Sequence, residues 1–492
     1  MLTLLLIFLP LAASLLIFAL RSRASKIIAL IAAVLELIIS LQVVSMFEKT
    51  AAVQFTFEWL WISSLGINFN VGIDGISLIL VMLTTAIIPF IILSSFGNTY
   101  EKPWTFYGLV LMMQSALVGV FAARDGFLFY LFWEMALIPI YFICLIWGGE
   151  NRARVTLKFF IYTLAGSLIM LVALIYLYYQ TPGSHSFDID SLYAAGRALP
   201  ASTQGVVFWS LFLAFAVKMP VFPFHTWQPD TYTVAPVQGT MLLSAIMLKM
   251  GLFGLIRWLI PVVPMGVQQW STTAIVLSVI GIVYASCIAI VQGDFKRLIA
   301  YSSIAHVGLI AAGILTMTQD GMQGAMIQMI SHGIVVFGLF FMIDLILRRC
   351  DTHDLQKLGG IRNVAPVFTT VFVILVLGSI ALPLTSGFAG EFLLISAVFR
   401  YDSWLGALAG STIILGAVYM LRAYQQSMSG EITPATASFA DLTTHEKVVL
   451  YPMALLVILI GLFPAPLLDI SEASVAKLIN DISTNAGTAS GR

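Results

Sequence analysis

Charge is what this sequence has least of. Only 10% of its 492 residues are Asp, Glu, Lys or Arg, where a soluble domain carries about 25%. Hydrophobic residues make up 60%, so the chain reads as an integral membrane protein. No polar stretch exceeds about thirty residues, which leaves no room for a soluble domain. The 24 basic and 24 acidic residues cancel, which argues against a nucleic-acid partner. Cysteine is as scarce. Cys144, Cys287 and Cys350 lie far apart without CxxC spacing, so no disulfide framework, metal site or iron–sulfur cluster is indicated. A P-loop, a dinucleotide fingerprint and a haem motif are missing too. The chain is therefore expected to bind no redox cofactor, and energy for any ion movement must come from a partner or a gradient.

What is there is apolar and periodic. An apolar run of about twenty residues crosses a ~30 Å hydrocarbon core as a helix. Such runs fall near residues 2–20, 27–46, 76–97, 104–121, 127–147, 156–180, 204–230, 237–258, 271–292, 299–317, 322–347, 366–400, 405–425 and 447–468. They predict an all-α polytopic membrane protein of about 14 transmembrane helices. The first run lacks a basic segment before its apolar core, so it reads as a span and not as a signal peptide. The seventh contains Pro220, Pro223 and Pro229 and the twelfth contains Pro383 and Gly387, so both are expected to be broken helices. The second piece of the twelfth is expected to begin near Gly390.

Broken helices seven and twelve lie five spans apart, an odd separation that makes them enter from opposite faces. This suggests two inverted five-helix repeats, as in many transporters. The expected divisions are 1–100 (helices 1–3), 101–260 (helices 4–8), 261–430 (helices 9–13) and 431–492 (a loop, helix 14 and a tail). With the N-terminus outside, fifteen basic residues fall inside, among them Arg152, Lys296, Arg348 and Lys447. Seven fall outside: Lys49, Arg124, Arg197, Arg257, Arg400, Lys477 and Arg492. The excess of Lys and Arg inside sets the orientation, with both termini outside.

Two lysines belong to neither set. Lys218 closes the run VVFWSLFLAFAVK, and Lys249 lies in QGTMLLSAIMLKMGLFGLIRW. At 1.5 Å per residue they sit about 20 Å and about 18 Å into their spans. Snorkelling to the headgroups serves a lysine near a helix end, and Lys249 is too deep for it. An ionisable group at that depth is by default functional. Glu134, seven residues into FLFYLFWEMALIPIYF, needs a cation or carries a proton itself, and Lys218 is its natural partner. Glu391 follows the break in span twelve, where a half-helix dipole favours a carboxylate. His306 and His332 lie mid-span in ten and eleven. Histidine titrates near neutrality and relays protons, although a membrane histidine is as often a packed, hydrogen-bonded side chain. Their spacing suits no metal. His225, in the first break, either shapes the loop or carries protons. Glu36 has no evident partner and reads as structural or peripheral. Asp344 and Arg348 read as an i,i+4 ion pair, and Asp74 as a helix cap.

The segments LFWEMALIPIYF, KMPVFPFHTWQPDTYTVAPVQGTMLLSAIMLKMGLFGLIR, DFKRLIAYSSIAHVGLI and SGFAGEFLLISAVF resemble the antiporter-like membrane subunits of respiratory complex I, the NADH–quinone oxidoreductase. The likeness runs from the third span to the thirteenth. It implies fourteen helices in two inverted repeats, a Glu134–Lys218 pair, a central Lys249, His306 and His332 on a connecting polar axis, and Glu391 as the terminal carboxylate. Sister chains L and N, and the related Mrp antiporter subunits, generally carry lysine where this chain has Glu391. The implied partners are those antiporter-like neighbours and small membrane chains. NADH, FMN, iron–sulfur clusters and quinone would be held by other subunits, in a bacterial inner membrane. The alternatives are a Na⁺/H⁺ antiporter subunit of the Mrp type and a membrane scaffold with no path of its own.

Overall fold

The computed structural model describes residues 1–489, with side-chain surroundings through residue 482; Arg492 lies outside the described residues. Among the described residues, thirteen helices are long and apolar enough to cross a membrane. The fourteenth crossing is the interrupted pair Pro366–Ser379 and Ser386–Tyr401. Every apolar run thus becomes a helix, because the chain's backbone groups can be satisfied in lipid only within a helix.

The seventh span stops at Lys218 after the helix Ala201–Lys218 and resumes as Gln228–Val234. Pro220 and Pro223 lack the donors that would continue the ladder. A carbonyl freed by the break is recovered by a side chain: Trp227 Nε1 donates to Val217 O at 2.8 Å. The eighth span, Val237–Leu259, is buried throughout except at Arg257. It contains two π-helical turns, Leu243–Met247 and Leu255–Leu259, on either side of Lys249. Such turns widen a helix locally and gather at functional positions.

The twelfth span breaks where expected but restarts sooner, at Ser386 and not near Gly390. Ala381 and Leu384 take positive φ of 54° and 73°, a costly conformation for residues with a Cβ. That reversal spends only six residues before the helix re-forms. Gly387 makes the tight return possible, since a Cβ there would lie 2.4 Å from Gly378 O.

Three elements fall outside the expected plan. A hairpin pairs Gln54–Ile62 with Ile67–Ile73 between the second and third spans. A short helix, Ile189–Ala198, precedes the seventh span. The tail is a helix, Ala465–Ala489, that packs on the third and eleventh spans. It is tied there by Ser474 Oγ accepting from Gly75 N at 3.1 Å and by Ser471 Oγ donating to Gln323 at 3.1 Å. Asp74 caps the third span through Ser77 N, as its position implied. It also pairs with Arg257 of the eighth span. Burial raises the Asp74 carboxyl, but the Arg257 guanidinium and the Ser77 bonds outweigh burial and hold it below its ordinary value. Arg257 and Lys296, expected in loops, are instead drawn into the protein, with Lys296 donating to Thr233 O and Ala235 O.

Candidate functional site

Spans eight, ten and eleven, together with the second half of twelve, bring a row of polar side chains into the middle of the bundle. Lys249 is fully buried. Its Nζ donates to Ser244 O at 2.7 Å and lies 2.9 Å from Nδ1 of His332. An ammonium only donates, so opposite one His332 Nδ1 accepts and Nε2 carries the ring proton. That nitrogen reaches Ser303 Oγ at 3.1 Å. Span eight in the first half is thereby joined to spans ten and eleven in the second.

A second cluster surrounds Glu391. His306 Nδ1 lies 2.8 Å from Glu391 Oε1, and Gln328 Nε2 donates to the same oxygen at 3.1 Å. Opposite a carboxylate His306 Nδ1 is the donor. Glu391 sits in the second turn of its half-helix, close to the positive end of that dipole. The two histidine rings are 6.0 Å apart, centre to centre. Between them lies a cavity of about 10 Å³ lined by His306, Gln328, Ser331, His332 and Ser379, about the room one water molecule needs. His306 Nε2 and Gln328 Oε1 are buried without a hydrogen-bond partner among the described residues. Ser331 bonds to Ser386 at 2.7 Å and ties span eleven to the restart of span twelve.

The first half is arranged differently. Lys218 is buried, and its Nζ stands 5.2 Å from the centre of the Trp133 ring, a cation–π distance. It has no hydrogen-bond partner among the described residues. Glu134 is the next residue after Trp133, yet no ion pair within 4.0 Å joins it to Lys218 among the described residues. The break leaves Lys218 over the aromatic ring, with the Glu134 carboxylate beyond direct contact. His225 packs against Phe222 and Tyr284. Its Nδ1 is buried and unpaired, and it bonds to no residue of the expected path.

Sequence reasoning missed several members of this row. Gln328, Ser303, Ser331 and Ser386 are short or neutral side chains, and nothing in their spacing marks them. Gln228 and Tyr232, in the resumed half of span seven, each keep buried side-chain atoms unpaired. A glutamine inside an apolar run, a far weaker mark than a charge, is the one signal that could have drawn attention to Gln228 and Gln328. Glu36 is not peripheral, since it is fully buried with neither carboxyl oxygen paired among the described residues. Asp344 and Arg348 form the ion pair their spacing implied. At the Val237 end of span eight, Asn98, Tyr100, Gln238, Lys296, Asp344 and His353 help to line a cavity of about 570 Å³.

Residues 123–416 match the family model described as NADH:quinone oxidoreductase/Mrp antiporter, TM. NADH-quinone oxidoreductase subunit M of Rickettsia typhi is 39% identical over 484 residues, covering 96% of this chain and 97% of that protein. Among solved structures, a chain of respiratory complex I from Thermus thermophilus superposes with a TM-score of 0.89. It is 29% identical, and the match covers 97% of this chain and 100% of that one. A chain of the Mrp complex from a Dietzia species gives a TM-score of 0.85 at 19% identity, covering 98% of each, which shows a shared fold. This chain belongs to the NADH:quinone oxidoreductase/Mrp antiporter family of membrane subunits.

Proposed function

We propose that this chain is the M-type proton-translocating membrane subunit of an NADH–quinone oxidoreductase and does no redox chemistry of its own. The carrying observation is the buried row Lys249–His332–Ser303 and His306–Glu391–Gln328, parted by a gap of one water. A water in that gap has His306 Nε2 and Gln328 Oε1 as ready partners, so a proton passes from Lys249 to His332, across the water to His306, and on to Glu391. Lys218 and Glu134 load this row. While Glu134 is ionised it steadies the Lys218 ammonium, and drawing Glu134 away frees the Lys218 proton to move toward Lys249. The buried polar side chains of Gln228 and Tyr232, in the resumed half of span seven, support a water route between the lysines.

Moving one charge against the membrane potential takes about 2.3 kcal/mol per 100 mV. Electron transfer between NADH, FMN, iron–sulfur clusters and quinone in other subunits supplies it, delivered as shifts in pairs such as Glu134 and Lys218. The neighbours are antiporter-like chains of types L and N and small membrane chains. The setting is a bacterial inner membrane with both ends of the chain on the outer side. Spans 4–8 and 9–13 form the two inverted repeats, a reading supported by the two interrupted helices. The test is Lys249→Ala in the assembled complex reconstituted in proteoliposomes. Proton pumping is lost; pumping retained with normal quinone reduction would overturn the role.

A further inference from the structure

We infer that Gln114, on the fourth span, is a positioning residue for Lys249. Through one bridging water its side-chain amide takes the lysine's third hydrogen bond, accepting from the ammonium and donating to the amine. This deepens the relay proposed above and rests on it. The fourth span, Pro103–Ala122, lies outside the polar row. Yet Gln114 is fully buried in it, and neither Oε1 nor Nε2 has a hydrogen-bond partner among the described residues. Burying an amide unbonded at both ends is costly, and an apolar side chain of the same size would avoid that cost. The polar ends therefore call for a partner.

Helix geometry says which one. Gln114 shares a face with Phe121, two turns further on, and Lys249 shares a face with Phe253, one turn further on. The rings of Phe121 and Phe253 meet edge to face with centres 5.4 Å apart, and the fourth span packs on the turn Lys249–Gly254. Spans four and eight are both even-numbered and run the same way. From the touching rings, Gln114 lies about 10 Å back along its helix and Lys249 about 6 Å back along its own. The two side chains thus start within about 5 Å of one level, a gap that one water bridges. Tyr107, two turns before Gln114, bonds to Ser95 at the end of the third span at 2.9 Å. The face Tyr107–Gln114–Phe121 therefore looks into the cleft between the third and eighth spans.

The chemistry fits an amide. An ammonium has three N–H donors, and Ser244 O and His332 Nδ1 take two of those on Lys249. Gln114 Oε1, through the water, takes the third. Once Lys249 has passed a proton to His332, its amine presents a lone pair, and Gln114 Nε2 donates toward it through the same water. A carboxylate in this place would hold the proton on Lys249. The amide serves both states and keeps Nζ aimed at His332.

The experiment compares Gln114→Met with the unmodified complex in proteoliposomes, since methionine keeps the length and shape of glutamine without its polar ends. Protons moved per quinone reduced are expected to fall about tenfold. Hydroxyl-radical footprinting, which marks side chains beside internal water, is expected to label Phe121 and Phe253 several-fold faster than Phe208. All three rings are buried, and the difference is expected to vanish in Gln114→Met. Unchanged pumping in Gln114→Met would overturn the inference, and so would rings labelled no faster than Phe208 in the unmodified complex. The footprint of the unmodified complex decides the matter should Gln114→Met not assemble. Pumping lost in Lys249→Ala but full in Gln114→Met would sink this inference alone, and full pumping in both would sink the relay as well.

Discussion

The two interrupted helices finish in opposite ways. At the first break nine residues separate the half-helices, and Lys218 is left with an aromatic face and no hydrogen bond. At the second, six residues separate them and Glu391 is gripped by His306 and Gln328. One charge is loosely held and the other is fixed. A buried charge with no fixed partner changes its protonation state when a neighbour moves. A hydrogen-bonded pair resists that change, because breaking it leaves its partner unpaired in a medium without water. The loose end suits an input that partner subunits can switch, and the fixed end suits a relay that must stay aligned.

The comparison breaks most visibly in pumping. Lys218→Met in the assembled complex is expected to lower proton pumping at least about tenfold, with Lys218→Arg recovering part of it. Fluorescence quenching in proteoliposomes checks both against quinone reduction. Equal pumping in Lys218→Met and the unmodified complex would remove the first break from the path. A double-mutant cycle sharpens the contrast. The pair His306→Ala and Glu391→Gln is expected to show a coupling of about 1–3 kcal/mol in unfolding experiments. The pair Lys218→Met and Glu134→Gln is expected to stay below about 1 kcal/mol, because no direct bond joins them. Couplings in the reverse order would contradict the geometry.

The smallest effect lies at the surface anchor of the first break. Asp230, on the resumed half-helix, accepts from Lys158 at 2.9 Å and pairs with Arg297 at 3.3 Å, all three partly exposed. Asp230→Ala is expected to cost under about 1 kcal/mol, and the loss is expected to shrink in high salt. The buried Ser331–Ser386 bond of the second break is expected to be indifferent to salt. Thermal unfolding at two ionic strengths separates them.

Much of the site was legible in the sequence because membrane burial makes ionisable residues conspicuous. Lys218, Lys249, Glu134, Glu391, His306 and His332 stand out against apolar runs; five of them are buried in the protein and Glu134 is partly buried. Neutral members of the row carry no such signal. Gln328 and Ser303 became visible only through the distances they make. The reverse holds for Arg257 and Lys296, whose places near helix ends read as loop positions until tertiary contacts drew them inward.

Composition and run length by themselves determined that the chain is a many-helix membrane protein, since hydrocarbon thickness fixes how long an apolar helix must be. Proline and glycine placement determined where two of those helices break, because a missing donor is a local property of the chain. Which charges meet was decided only by the tertiary structure. Whether Lys249 touches His332, whether Glu391 is held while Lys218 stays free, and whether one water's room lies between two histidines all depend on how far neighbouring helices rotate and approach. That is set by packing across the whole bundle and by no single stretch of residues.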